Sequence, residues 1–145
     1  MEIALEEARA AERRGEVPVG AVVLGPDGAI LARAGNRVEE QDAAAHAELL
    51  ALRAAAEKRA TPRLEGCDIV VTLEPCPMCA AAISLYRIRR LVFGAYDAKS
   101  GGVEHGPRIF ASPATHHRPE VIGGVLESES AALLKAFFAQ RRSRS

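Results

Sequence analysis

Four side chains that could bind a metal ion or move a proton stand at the predicted starts of two helices. His46 and Glu48 open one helix, and Cys76 and Cys79 open another about thirty residues later. A C-x-x-C pair at a helix start places two sulfurs on adjoining faces of the first turn, close enough to bind one ion. Pro77 suits the first helical position because its missing N–H needs no partner there. The spacing therefore predicts a metal centre.

The ligand types favour zinc. A helix N-terminus lowers the pKa of a cysteine thiol, so both thiols of the C-x-x-C pair are expected to be thiolates. Two sulfurs and one imidazole suit Zn²⁺, at about 2.3 Å and about 2.0–2.1 Å respectively. His46 and Glu48 are two residues apart and would point to nearly opposite sides of a continuous helix. They can converge only if that helix begins near Ala45 with its axis pointing at the ion.

The number of ligands separates a catalytic zinc site from a structural one, which has four protein ligands. Cys67 is the remaining cysteine, but a strand over 68–73 would be about 20 Å long, at roughly 3.3 Å per residue, and would hold it far from Cys76. Three ligands leave one position open for water. A bound zinc lowers the pKa of that water towards 7, and Glu48 can take its proton. The alternatives are a redox C-x-x-C pair, a His46 that only caps its helix, and a Glu48 on a plain helix surface.

Alternating helices and strands must position these side chains. Helices alternating with strands predict an α/β layered domain with helices on both faces of one sheet. The strands are predicted at 17–24, 29–34, 68–73, 90–94 and 120–125. The helices are predicted at 3–14, from His46 through Lys58, at 75–83 and at 129–142, and the segment 95–119 is long and irregular.

The length of 145 residues is that of one ordinary domain, predicted to span 1–145. Hydrophobic residues make up 48% of the 145 residues and charged residues 26%, which argues against disorder. No apolar run approaches the roughly 20 residues of a membrane span, and no secretory signal is visible. Three cysteines are an odd number for a disulfide framework. We therefore expect a reduced, cytoplasmic protein that does not enter a membrane.

The net charge of zero conceals an asymmetry. Residues 1–75 carry 9 basic and 14 acidic side chains, whereas residues 76–145 carry 10 and 5. The basic half could bind phosphates, or the two halves could simply attract each other within one fold. The basic residues considered for phosphate contact are Arg87, Arg89, Arg90, Lys99, Arg108, Arg118, Arg141 and Arg142.

The motifs resemble a known enzyme family. H-x-E followed by P-C-x-x-C is the established signature of the zinc nucleobase deaminases. The longer match resembles the bacterial tRNA adenosine deaminases of the zinc-dependent cytidine/deoxycytidylate deaminase family, and it covers nearly the whole chain. It departs from them at Gly35, Val38 and Tyr96. The matching segments are Val17–Ala21, Asn36–Arg37, Ala45–Glu48, Val71–Cys76, Met78–Cys79, Phe93–Ala95, Asp97–Lys99, Phe137–Phe138 and Arg141–Arg142.

This resemblance implies a cytidine deaminase-like three-layer α/β/α sandwich with a central mixed five-stranded sheet. It implies hydrolytic deamination of the wobble adenosine in a tRNA anticodon stem-loop, giving inosine and ammonia. His46, Cys76 and Cys79 would hold one Zn²⁺ per subunit. Glu48 would carry the proton from water to the ring and then to the departing amine. The family forms homodimers.

The resemblance also implies substrate contacts. Asn36 would contact the ribose, the backbone around Ala47 and Glu74 would bind the base edge, and Val19 and Leu73 would enclose the flipped ring. Asp97 would contact a neighbouring sugar and Lys99 the RNA backbone, while His117 could face RNA. Each has a structural alternative: a turn for Asn36, a strand-end cap for Asp97, core packing for Val19 and Leu73, and a solvated loop for His117.

Two other functions compete with this one. The first is deamination of a free base or nucleoside, such as guanine, cytosine or cytidine, on the same fold; this would need no basic surface. The second is a deaminase-like RNA-binding domain that has lost catalysis. The intact Glu48 and the complete ligand set argue against the second.

Overall fold

The structure is a computed structural model that describes residues 1–144. The chain alternates between helices and strands, as the pattern predicts. Its elements are α1 (Glu2–Arg13), β1 (Gly20–Leu24), β2 (Ile30–Gly35), α2 (Ala47–Arg59), β3 (Asp68–Leu73), α3 (Pro77–Leu85), β4 (Arg90–Ala95), a short 3-10 helix (Ile109–Ala111), β5 (Glu120–Ile122) and α4 (Glu127–Arg144).

The strands form one mixed sheet in the order β2-β1-β3-β4-β5. β1 is antiparallel to β2 and β3, whereas β3, β4 and β5 are parallel. Leu73 pairs with Ala95, so the carboxyl ends of β3 and β4 lie side by side. Ala21, near the start of β1, pairs with Val71, near the end of β3. The loops at the start of β1 and at the ends of β2, β3 and β4 therefore meet at one edge of the sheet.

Helices cover both faces of the sheet. α1 packs against β1 and β2, and α4 packs against β4 and β3 and contacts α1. α2 packs against β1 and β2 and contacts α3. The expected three-layer α/β/α arrangement around a mixed five-stranded sheet is confirmed. Within residues 1–144, no helix combines the length and the apolar character needed to cross a membrane.

The larger core lies between the sheet and the pair α2 and α3. Its largest fully buried side chains include Leu52, Ile69, Ile83, Leu91 and Phe93. A smaller cluster of Ala4, Val22 and Val70 forms beneath α1. α1 comes very close to the sheet at Gly20, where a Cβ would lie 2.0 Å from the Ala4 carbonyl oxygen. Any larger residue there would displace α1.

Several element boundaries differ from the sequence-based expectation by a few residues. β1 begins at Gly20 rather than at residue 17, because Pro18 has no N–H to donate and the Val19 N–H turns back to the Val17 carbonyl. α3 begins at Pro77 rather than at residue 75, because Cys76 keeps an extended backbone as the N-cap. β5 ends at Ile122 and α4 starts at Glu127. The three cysteines are free, as expected.

Candidate active site

Three potential metal ligands converge where α2 and α3 begin. His46 is the N-cap of α2, and Cys76 is the N-cap of α3. Nδ1 of His46 lies 3.6 Å from Sγ of Cys76 and 3.6 Å from Sγ of Cys79. The three atoms all lie within 4.8 Å of one another. Since α2 starts at Ala47, the predicted helix start near Ala45 is confirmed to within two residues.

These spacings fit a tetrahedral zinc ion. Zinc bound at its usual distances to nitrogen and sulfur holds those two atoms about 3.6 Å apart when the angle is tetrahedral. The two distances from the His46 nitrogen have this value. Cys67 lies at the other end of β3, where its sulfur accepts a hydrogen bond from the Arg59 guanidinium. Within residues 1–144, the cluster therefore offers three ligands and leaves a fourth position open.

The two thiols differ in acidity, contrary to the expectation that both would be acidic. A hydrogen bond from Cys79 lowers the pKa of Cys76 to about 4, with a further contribution from His46. The same hydrogen bond raises the pKa of Cys79, as does its burial. The bond to the Cys76 sulfur also raises the pKa of His46. Metal binding requires both sulfurs as thiolates, so zinc binding would release the proton that Cys79 donates to Cys76.

Glu48 is buried beside the cluster rather than exposed on a helix surface. It lies in the first turn of α2, and only 4% of its surface is accessible. Burial raises the pKa of its carboxyl group to about 7. A carboxyl group with this pKa can both accept and donate a proton near neutral pH. This placement removes the alternative of a plain surface residue.

A cavity of about 240 Å³ opens over the cluster. His46, Cys76 and Glu48 contribute to its wall, so the metal ligands and the proton carrier face the same space. Val19 and Leu73 also line it; Val19 is buried and Leu73 half-buried. The cavity lies at the carboxyl ends of β3 and β4, where α/β sheets commonly bind ligands. Its other lining residues are Gly15, Glu16, Val17, Asn36, Val38, Glu39, Glu74, Asp97, Ser100 and Arg141.

Asn36 connects the end of β2 to the start of α2. Its Oδ1 accepts a hydrogen bond of 2.8 Å from the Ala47 N–H, one of the free donors at the helix start. The Ala47 N–H is therefore already paired, and the Asn36 amide nitrogen is the part of that side chain not used in the bond. Asn36 is both a cavity-lining residue and a brace that fixes the first turn of α2.

Glu74 holds the loop after β4 against the site. Its carboxylate accepts hydrogen bonds from the backbone N–H groups of Asp97, Val103, Glu104 and His105, and from the His105 ring. Burial alone would raise the pKa of Glu74, but these bonds outweigh it and lower the pKa. A role in the site was predicted only for the backbone of Glu74. The role of its side chain depends on residues more than twenty positions away.

Similarity to known proteins agrees with this chemistry. Residues 1–95 match the family model described as the cytidine and deoxycytidylate deaminase zinc-binding region. The chain belongs to this deaminase family. Its His/Cys/Cys cluster is the site for one zinc ion per subunit.

Relatives of this deaminase match along almost its full length. The tRNA-specific adenosine deaminase of Agrobacterium fabrum is 54% identical over 143 residues, which cover 98% of this chain and 93% of the relative. A solved structure from studies of A-to-I editing by tRNA:A34 deaminases is 56% identical, with a TM-score of 0.90, covering 92% of this chain and 97% of that one. The guanine deaminase of Nitrosomonas europaea is more distant, at 28% identity and a TM-score of 0.82, covering 95% and 82%.

At the cavity mouth, Asp97 caps the turn that follows β4. Its Oδ1 accepts hydrogen bonds from the N–H groups of Lys99 and Ser100. Lys99 is exposed and borders a second, adjoining hollow that Leu73 and Asp97 also line. Asp97 therefore does form the cap at a strand end that was considered as the structural alternative to a substrate contact. Lys99 and Asp97 both lie within reach of a molecule that extends out of the cavity.

His117 lies at the other end of the deaminase sheet. Its Nε2–H donates to the Ile88 carbonyl, and its own carbonyl accepts from Ser84 Oγ. These contacts place it where α3 ends and β4 begins, away from the cavity of the same subunit. The structure does not bring His117 together with the other predicted site residues.

Most of the basic residues that sequence analysis grouped for phosphate contact also lie away from the cavity. Arg89 forms a bidentate pair with Asp68, and Arg90 pairs with Glu120, at the amino end of the parallel strands. Arg118 donates to two backbone carbonyls. The charge asymmetry therefore arises in part from ion pairing within the fold. Lys99, Arg141 and Arg142 are the members of the group that border the cavity or its adjoining hollow.

Two charged residues of the cavity were not predicted in their observed positions: Arg141 was considered only for phosphate contact, and Glu16 was not a candidate. Arg141, on α4, donates to the Gly15 carbonyl and lies over the Phe137 ring, 4.8 Å from its centroid, so α4 is tied to the loop before β1. Glu16 lies in that same loop and is buried although it is charged. The one available signal for Glu16 was a lone carboxylate directly before an apolar run.

Proposed function

We propose that this deaminase converts the wobble adenosine of a tRNA anticodon stem-loop to inosine by hydrolysis, releasing ammonia. The observation that carries the proposal is Glu48, buried at the zinc cluster and facing a cavity that opens beside Lys99 and Asp97. Relatives named tRNA-specific adenosine deaminase, matching along nearly the whole chain, support the choice of substrate. Such a substrate would place the reaction in the cytoplasm.

Zinc held by His46, Cys76 and Cys79 would lower the pKa of a water molecule and so supply a nucleophile near neutral pH. Glu48 takes a proton from the attacking water while the water oxygen forms a bond to the amino-bearing ring carbon. It delivers this proton to the adjacent ring nitrogen, and then takes the remaining proton of the added hydroxyl and passes it to the amine, which leaves as ammonia. The raised pKa of Glu48 suits both transfers, because the carboxyl group must accept and release a proton in each cycle.

The cavity walls hold the flipped base. In this proposal Val19 and Leu73 present apolar surface to the two ring faces, and Glu74, which also lines the cavity, borders the base edge. The Ala47 N–H already donates a hydrogen bond to Asn36. We therefore propose that Ala47 shapes the first turn of α2 and does not donate to the base. The free amide nitrogen of Asn36 remains available to the ribose.

The rest of the RNA would leave the cavity past the loop after β4. Asp97 would contact the sugar of a neighbouring nucleotide and Lys99 its backbone, while His117 could meet RNA only as part of a larger assembly. We propose a homodimer, which is the arrangement the family resemblance implies, with residues 1–145 forming one deaminase domain in each subunit.

The test is product formation by zinc-loaded protein. Ammonia release and inosine are measured with an anticodon stem-loop carrying a wobble adenosine, and with free adenosine, guanine, cytosine and cytidine. Turnover of the stem-loop alone is expected. Turnover of guanine alone would favour the free-base alternative, for which the similarity to a guanine deaminase is the supporting observation.

A further inference from the structure

Glu16 is a buried carboxylate with one unused oxygen. Only 3% of its surface is accessible, and it lines the cavity that holds Glu48. Its Oε2 accepts a hydrogen bond of 3.0 Å from the Glu39 N–H. Within residues 1–144 this is the one hydrogen bond of the carboxylate, and no ion pair includes it.

The second oxygen, Oε1, has no hydrogen-bond partner among the described residues and belongs to a residue that lines the cavity. Ser130 Oγ is the single side-chain oxygen or nitrogen of the described residues that is fully buried without a hydrogen-bond partner. Oε1 of Glu16 also lacks a protein partner but is not fully buried, so it keeps some accessible surface, and the cavity is the space that Glu16 lines. Carboxylates form strong hydrogen bonds, and leaving one unpaired in a confined space is costly. The arrangement calls for a donor on the bound molecule.

An RNA nucleotide can offer few donors to this oxygen. The exocyclic amine of the target adenine has to reach the zinc cluster and Glu48, where the reaction takes place. The 3′ and 5′ oxygens of the ribose are esterified within a strand, so the 2′-hydroxyl is the one donor that the sugar-phosphate backbone offers. A phosphodiester has no proton to donate, and its negative charge would be repelled by the Glu16 carboxylate itself.

We infer that Glu16 accepts a hydrogen bond from a ribose 2′-hydroxyl of the bound strand and so favours RNA over DNA at this site. This inference rests on the proposed RNA substrate. Glu16 also braces the site, because its other oxygen ties the loop before β1 to the loop that leads to α2. One side chain therefore fixes a cavity wall and selects the sugar.

The experiment combines a side-chain change with a sugar change. Glu16→Gln keeps an oxygen for the Glu39 N–H but replaces the free acceptor with an amide that donates. A 2′-fluoro sugar keeps nearly the size of the hydroxyl and lacks its proton. Four stem-loops are compared by kcat/KM: all-ribose, and singly 2′-fluoro at the target adenosine or at either flanking nucleotide.

The wild-type protein should lose about tenfold in kcat/KM with 2′-fluoro at one of these three positions. With the all-ribose stem-loop, kcat/KM of Glu16→Gln should be about tenfold lower than that of the wild type. Introducing 2′-fluoro at the sensitive position should lower kcat/KM of this variant by less than about threefold further. Glu39→Gln is the matched control, since it removes one charge from the same cavity and leaves Glu16 in place. It should keep the wild-type sugar preference.

Thermal unfolding and zinc content show whether Glu16→Gln is folded. If it is not, Glu16→Asp serves instead, since it keeps the charge but withdraws the oxygen, and it should lose the same sugar preference. The inference is overturned if wild type is indifferent to 2′-fluoro at all three positions, or if the folded variant remains as sensitive as wild type. Failure of the proposed function would look different: the wild-type protein would not deaminate the all-ribose stem-loop at all.

Discussion

At the metal centre, the two sulfurs of the C-x-x-C pair occupy different environments. Cys79 is fully buried in α3, whereas Cys76 is half-buried at the helix start and borders the cavity. The hydrogen bond from Cys79 keeps the pKa of Cys76 low and that of Cys79 high. Only a thiolate that a reagent can reach is readily alkylated.

Removing zinc should therefore expose one cysteine. After chelation, iodoacetamide at pH 7 is expected to modify Cys76 well before Cys79 or Cys67, because burial raises the pKa of Cys67 and shields it. Peptide mass spectrometry at successive times gives the order. The zinc-loaded protein, in which these sulfurs are ligands, is the control and should resist modification. Equal rates at Cys67 and Cys76 would contradict this account of the site.

Residue spacing was enough to predict the metal ligands and Glu48, because each pair lies within one helical turn. It was not enough for Glu16 or the side chain of Glu74. The partners of those carboxylates come from loops 23 to 31 positions away. Local pattern carries no signal for such contacts, which depend on how the elements pack.

At the scale of the elements, the loop after β4 is held to the site by Glu74. A Cβ on Gly101 would lie 2.5 Å from the Glu74 Oε2 atom, so this loop passes directly over the carboxylate. The Gly102 N–H also donates to the Pro75 carbonyl, next to the zinc ligand Cys76. Loop and metal site are thus connected through a few buried hydrogen bonds.

Glu74→Gln should weaken this connection strongly. The amide turns one acceptor into a donor that faces N–H groups, which should reduce the free energy of unfolding by about 2–4 kcal/mol. Chemical denaturation and zinc affinity measure the effect. His105→Ala, which removes one of the five hydrogen bonds to this carboxylate, should cost roughly 1 kcal/mol. A Glu74→Gln variant as stable as wild type would show that the loop is held in another way.

The elements themselves were largely predictable. The β-branched run of β3 was predicted at its observed bounds, Asp68–Leu73, and both faces of the sheet carry helices as expected. Errors lay at boundaries set by single residues, such as Pro18 before β1 and the extended Cys76 before α3. The mixed five-stranded sheet came from family resemblance, and the pairing order of its strands was not predicted, since strand pairing is a long-range property.

Across the whole molecule, charge is distributed differently from the simple division between the two halves of the chain. Arg89 and Arg90 neutralise Asp68 and Glu120 at the end of the sheet away from the zinc cluster. Lys99 lies on the cavity side and is exposed. We therefore expect phosphate contacts to concentrate around the loop after β4 rather than over the whole basic half.

Lys99→Gln should raise KM for the stem-loop several-fold. It should also reduce the salt dependence of KM by the amount that corresponds to about one phosphate contact. Lys58→Gln, an exposed lysine near the far end of α2, removes the same charge and should leave both unchanged. Steady-state kinetics at several salt concentrations provide the measurement. Equal effects of the two substitutions would mean that overall charge, rather than a local contact, attracts the RNA.

The most direct test of the central claim compares the wild-type protein with Glu48→Gln, each loaded with one equivalent of zinc. Inosine at the wobble position of an anticodon stem-loop is measured by mass spectrometry of the digested product. The account predicts wobble inosine with the wild type and at least about a 10³-fold slower reaction with Glu48→Gln, at unchanged zinc content. A Glu48→Gln variant that retains zinc and forms inosine at the wild-type rate would contradict the account.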